Sequence, residues 1–266
     1  MELLLAVILG VVQGVFEWLP VSSEAVISII LTQLGNTGVV KSVNTAVWLH
    51  TGTMFAALLY FRKEFLNLIR KFFSSIRKKS FDRGSEDGKL LEFVFVATLV
   101  TGIIGGPLYF LGLKSAANSP ELFSGLMGVA LLLTGLLRFY SGGSSRQKGS
   151  TNWKDSIFAG ILQGFSIIPG VSRSGSTVFG LLYRDFDPQT AFRLSFLLSV
   201  PAILAANIVL NLFEGFTITI PLIVSSAVSF IVGYASIDLV LRIADRTEVA
   251  YLCFVLAALS FVPLVL

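Results

Sequence analysis

The sequence predicts an all-α polytopic membrane protein, with about six transmembrane helices and two re-entrant helix pairs arranged as an inverted-topology repeat. Three observations carry this reading. First, 54% of the 266 residues are hydrophobic and 14% are charged, where a soluble domain is about a quarter charged. Second, apolar blocks of spanning length recur at 43–61, 91–113, 120–140, 191–213, 218–241 and 248–266. Third, two polar, proline-broken segments near 1–40 and 156–183 resemble each other.

The first block, "MELLLAVILG", has no Lys or Arg before Lys41. A secretory signal needs a basic start, so this block is expected to stay in the mature chain. Residues 62–92 hold nine of the twenty Lys and Arg, and Arg138, Arg146, Lys148 and Lys154 follow in segment 138–154. Clustering of this kind marks cytoplasmic loops with some affinity for anionic headgroups, and argues against a nucleic-acid surface. If 62–90 is cytoplasmic, 43–61 runs inward, 91–113 returns outward, and 120–140 comes back to the basic loop 141–155. Arg184, Arg242 and Arg246 also fall inside only if 156–183 enters and leaves on one side. By the same count, 1–40 starts and finishes outside. The chain is thus expected to be one integral membrane domain, with repeat one about 1–140 and repeat two about 156–266.

The two broken segments read "GVVQGVFEWLPVSS" (Gly10 to Ser23) and "GILQGFSIIPGVSRS" (Gly160 to Ser174). Gln13 and Gly14 match Gln163 and Gly164, Pro20 and Pro169 follow each pair, and Ser22 matches Ser172. Broken backbone at membrane depth is tolerated where protein or a wet cavity surrounds it. The stretch "LPVSSEAV", residues 19–26, is therefore expected to line a polar site inside the protein.

Arg173 sits among Ser172, Ser174, Ser176 and Thr177, with Gly170 and Gly175 beside it. A guanidinium, hydroxyls and the N–H groups of a helix start form a phosphate site. An arginine in an apolar segment is costly and normally functional; a structural pairing with a buried carboxylate is the plain alternative. Gln13 and Glu17 are four apart and share a helix face, with Ser22 and Ser23 just beyond. A carboxylate opposite a phosphate-bound arginine can bind a divalent metal, orient water, or act as base toward a serine. Glu24 is a second carboxylate, equally readable as an ordinary helix N-terminal acid. His50, the sole histidine, reads first as a packing residue and second as part of the site. Cys253, the sole cysteine, excludes an internal disulfide.

These residues resemble the undecaprenyl-diphosphate phosphatase family, the integral membrane bacitracin-resistance proteins. One family signature runs from Gln13 through Glu17 to Leu19–Ser23; the other comprises Pro169, Gly170, Ser172, Arg173, Ser174 and Thr177. The resemblance covers essentially the whole chain. It implies an enzyme that removes the terminal phosphate of a long-chain polyprenyl diphosphate, dependent on a divalent cation, Mg2+ or Ca2+. It implies a plasma-membrane site opening toward the outer face. In it Glu17, Ser23 and Arg173 are catalytic, and Gln13 and Glu17 serve the metal. Ser22, Ser172, Arg173, Ser174 and Thr177 hold the diphosphate, and Gln13, Glu24 and His50 are accessory. Bacterial members commonly carry a histidine three residues after the second serine; here Val26 takes that place and Glu24 replaces a threonine. Valine moves no proton, so a flippase or transporter of polyprenyl phosphate, or an inactive lipid-phosphate binder, stands as the alternative. Expected partners are the lipid substrate, the bilayer and a second copy of the chain as homodimer, with no nucleic acid.

Overall fold

The computed structural model describes residues 2–33, 35, 37–78, 82–110, 125, 128–129, 131–133, 135–136, 139, 151–168, 171–214, 217–246 and 248–261. Ten α-helices are continuous within them. They are α1 (Leu3–Phe16), α2 (Ser23–Gln33), α3 (Val39–Tyr60), α4 (Arg62–Lys78), α5 (Glu86–Phe110), α6 (Trp153–Gly164), α7 (Arg173–Tyr183), α8 (Pro188–Glu214), α9 (Ile220–Arg246) and α10 (Val249–Phe261). A 3-10 turn, Phe165–Ile167, follows α6. Among the described residues, three stretches are long and apolar enough to cross a bilayer: Glu86–Tyr109, Pro188–Val209 and Ile220–Ala244. The expected span 43–61 lies on α3 except for its last residue, and of the expected span 248–266 residues 249–261 form α10, while 262–266 lie outside the described residues. Most of 120–140, residues 141–150 of the loop 141–155, and Pro169 and Gly170 lie outside the described residues.

Both polar segments are helix pairs interrupted near their middle. α1 stops at Phe16, where the polar and proline-containing run Glu17–Ser22 begins, and α2 restarts at Ser23. α6 stops at Gly164, and α7 restarts after Ser172, whose hydroxyl caps it by accepting from Gly175 N at 3.1 Å. Helices of 11 to 14 residues are too short to cross the ~30 Å hydrocarbon core at about 1.5 Å per residue.

Glycines set how these pairs are held. A Cβ on Gly10 would meet Ser225 O at 2.6 Å and Val228 Cβ at 2.7 Å, and one on Gly14 would meet Val232 Cβ at 2.7 Å. A Cβ on Gly160 would meet Ala97 O at 2.6 Å and Val100 Cβ at 2.8 Å, and one on Gly164 would meet Ile104 Cβ at 2.6 Å. The two sets correspond position by position, since 97, 100 and 104 are spaced as 225, 228 and 232 are. So α1 lies on α9 while α6 lies on α5, each through a Gly-x-x-x-Gly face that lets backbones approach closely. Elements early and late in the chain are thus interleaved. Trp18 locks the same corner: it is fully buried, donates Nε1–H to Gly233 O at 3.0 Å and lies 4.7 Å from the Phe196 ring.

The charge pattern predicts a cytoplasmic loop over 62–90. Instead, residues 62–78 form α4. The apolar residues Phe65, Leu66, Leu68, Ile69, Phe72, Phe73 and Ile76 recur at helical spacing, which outweighs the dense charge between them. Leu68 packs into the main apolar core, and Phe72 lies 6.5 Å from the Phe95 ring on α5. Lys71 Nζ donates to Asp82 Oδ2 at 2.8 Å and to Ser85 Oγ at 2.9 Å, tying α4 to the start of α5. The Lys71 hydrogen bond, with others from Ser85 and the Gly84 N–H, holds the Asp82 carboxyl well below the usual carboxylate range.

Candidate active site

The two interruptions meet. Ser172 and Ser174 both donate their hydroxyls to Leu19 O, at 3.3 and 2.5 Å, so the second break is stitched to the backbone of the first. Gly175 makes the approach feasible, because a Cβ there would lie 3.1 Å from Pro20 Cα. This join faces a cavity of about 370 Å3.

Glu17 is the hub. It caps the C-terminus of α1, where a negative charge gains nothing from the helix dipole, and its side chain is 3% exposed. Its neighbours compensate. Arg173 Nη2 donates to Oε1, while Gln13 Nε2 donates to Oε2 at 2.6 Å. Ser23 Oγ and His50 Nε2 also face Oε2, at 3.4 and 3.1 Å. The other arm of the guanidinium, Nη1, donates to Ser195 O on α8 at 3.1 Å. Arg173 is therefore held from two sides in a fork that lysine does not reproduce.

His50, on α3, belongs to this cluster. Its Nδ1 lies 2.7 Å from Ala46 O; a carbonyl only accepts, so Nδ1 carries a hydrogen. Nε2 then faces the Glu17 carboxylate and, at 3.4 Å, Ser23 Oγ. Sequence alone weighted His50 low, because a single histidine in an apolar helix has no local partner; its partners lie 27 and 33 positions away on other helices.

The remaining expected residues divide by position. Ser22, Ser23, Glu24, His50, Ser172, Arg173 and Ser174 line the cavity with Glu17. Gln13 does not: it is fully buried behind Glu17 and orients that carboxylate. Thr177 does not either. It is fully buried one turn inside α7, bonding Arg173 O at 2.9 Å and Ser195 Oγ at 2.5 Å, and so joins α7 to α8. Its place in the motif is structural. Ser195 was the residue that motif reading missed; the signal was Ser195 and Ser199, one turn apart, in the apolar run "SFLLSV".

A divalent ion caged by Gln13 and Glu17 does not fit this geometry. Both Glu17 oxygens already face hydrogen-bond donors, and Gln13 turns its Nε2 toward them. Among the described residues no group of three or more His, Cys, Asp or Glu could hold a metal. Glu24 is a further carboxylate lining the cavity.

Away from the polar cluster the cavity runs between α5 and α8. Gly102, Gly105 and Gly106 form one wall and Ala202, Ala205 and Ala206 the other. Small residues on both helices leave an apolar lane, and nothing lies within 4 Å of a Cβ placed on Gly102 or Gly106.

Residues 6–262 match the family described as bacitracin resistance protein BacA. The chain is 38% identical over 265 residues to an undecaprenyl-diphosphatase of Haloarcula marismortui, covering 98% of this chain and 96% of that one. It is 35% identical over 261 residues to an undecaprenyl-diphosphatase of Methanococcoides burtonii, covering 98% of each. An undecaprenyl-diphosphatase 2 of Halalkalibacterium halodurans is 33% identical over 275 residues, with 98% and 96% covered. The chain belongs to the bacitracin resistance protein BacA family.

Proposed function

We propose that the chain is a membrane phosphatase that removes the terminal phosphate of undecaprenyl diphosphate or a similar long-chain polyprenyl diphosphate. The observation that carries this is the meeting of Glu17, Ser23, His50 and Arg173 at the head of an apolar lane. The cavity volume suits a diphosphate and the first few carbons of the chain. The rest of a prenyl tail leaves along the α5–α8 lane into lipid.

Arg173 and the α7 N-terminus take the diphosphate, Arg173 exchanging its contact with Glu17 for phosphate oxygens. Ser23 Oγ attacks the terminal phosphorus. Its proton passes to Glu17 Oε2, to which the Ser23 hydroxyl donates at 3.4 Å. The bond from that phosphorus to the bridging oxygen breaks, and the prenyl monophosphate leaves with the electron pair. Water then cleaves the phosphoserine, with Glu17 again moving the proton. His50 holds Glu17 in place through the contact of its Nε2 with Oε2 at 3.1 Å, which supplies the support that Val26 does not. A divalent cation, Mg2+ or Ca2+, held by Glu24 and the substrate, would neutralise diphosphate charge. The interleaved Gly-x-x-x-Gly contacts support an inverted repeat, and the basic distribution supports a plasma-membrane site opening outward.

The test is phosphate release from a long-chain prenyl diphosphate by purified protein in proteoliposomes, with metal titration. Glu17→Ala and Arg173→Ala each abolish release. Unchanged turnover in both variants, or lipid translocation without phosphate release, overturns the proposal.

A further inference from the structure

The helix α4 has a surface that the catalytic site does not use. Leu66, Ile69, Phe73 and Ile76 follow one another along one stripe and are 51, 52, 64 and 59% exposed. The neighbouring stripe on the same helix carries Lys63, Arg70 and Arg77, all exposed, spaced seven apart. Leu68 and Phe65 turn the other way, into the protein. The helix is therefore divided into three: an inner apolar edge that docks it, an outer apolar stripe, and a basic row bordering that stripe.

Two features fix this arrangement on the body of the protein. Glu64, in the first turn, accepts from Arg193 Nη2 at 2.5 Å, and Lys71 is engaged with Asp82 and Ser85. The two charges of α4 that pair with other elements, Glu64 and Lys71, thus face the protein. Among the described residues no carboxylate pairs with Lys63, Arg70 or Arg77. Four exposed large apolar side chains on a charged helix are costly in water, whereas a fully immersed helix would bury the arginines in hydrocarbon. The boundary between headgroups and acyl chains satisfies both stripes at once.

We infer that α4 is a membrane-interface helix that binds anionic lipid. Its Leu66–Ile69–Phe73–Ile76 stripe enters the acyl boundary, and Lys63, Arg70 and Arg77 take phosphodiester headgroups. The charge on the row selects acidic phospholipid over zwitterionic lipid, since each cation near such a surface favours it by roughly fivefold. This assignment is independent of the catalytic reading.

Nitroxide labels at Phe73→Cys and Asn67→Cys, one on each side of α4, test it in nanodiscs. Cys253 is fully buried, so the unsubstituted protein is the labelling blank. The label at 73 should collide with oxygen more than with a water-soluble nickel chelate, and the label at 67 should do the reverse. With a bimane fluorophore in place of the nitroxide at 73, nanodiscs of mixed phosphatidylglycerol and brominated phosphatidylcholine, then the converse pair, report by quenching which lipid sits beside that position. Phosphatidylglycerol should be enriched there, and Arg70→Gln with Arg77→Gln should remove roughly fivefold of that enrichment per charge at low salt. Equal nickel access at 67 and 73 overturns the interfacial placement. A label at 73 shielded from both reagents means a protein covers the stripe, which also overturns it. Enrichment unchanged in the double variant overturns the anionic preference.

Discussion

Replacing Arg173 by Gln separates the structural weight of the Glu17–Arg173 pair from its chemistry. Glu17 Oε1 has Arg173 as its partner, while Oε2 keeps Gln13, Ser23 and His50. The substitution therefore leaves one oxygen of a buried carboxylate uncompensated, which costs about 3–5 kcal/mol of stability. It also removes the bond to Ser195 O, worth about 1–2 kcal/mol within that total. Glu17→Gln in the same chain removes the charge that Arg173 was compensating. The double variant Glu17→Gln/Arg173→Gln should then be less destabilised than the two single variants sum to, by about 2 kcal/mol or more. Reversible unfolding in mixed micelles measures all three, and phosphate release should be absent in all three. Additive stabilities within about 0.5 kcal/mol would refute the ion pair as the hub of the site. Recovery of turnover in the double variant would refute the roles given to both residues.

Ser23→Ala should abolish a trappable phosphoserine along with turnover; turnover surviving without it would make an activated water the nucleophile. His50→Gln should keep activity within about tenfold, because a glutamine can still donate to Glu17, whereas His50→Ala should lose about 100-fold or more, and equal loss in both would make His50 itself the proton carrier. Gly102→Leu or Ala206→Leu should raise KM for a long-chain prenyl diphosphate while sparing a short soluble one, read from paired kinetics. Gly14→Ala places a Cβ 2.7 Å from Val232 Cβ and 2.8 Å from Gly233 N, so it should destabilise by about 1–3 kcal/mol in the same unfolding measurement.

The two breaks were legible because proline, serine and charge inside apolar runs cannot be accommodated as ordinary spans. Arg173 and Glu17 stood out for the same reason, as costly residues that need partners. What the sequence obscured were relations set by depth along a helix and by approach from another element. Thr177 belongs to the motif by spacing, yet four residues carry it about 6 Å along α7, away from the cavity at the helix start. His50 looks solitary until α1, α2 and α3 converge. α4 was hidden by its charge, which masked a helical apolar period to a reader weighing composition over a long window.

The crossing of α1 onto α9 also sets an order of events during synthesis. Gly14 leaves the ribosome some two hundred residues ahead of Val232 and Gly233, which it contacts. At about 5–20 residues per second the interval is roughly 10–40 s. Glu17 leaves about 160 residues ahead of Arg173, so its carboxylate waits without its cation for most of that time. The leading helix therefore cannot be seated as it is made; it must be kept available, at a membrane's edge or under an insertion factor, until the penultimate described helix arrives.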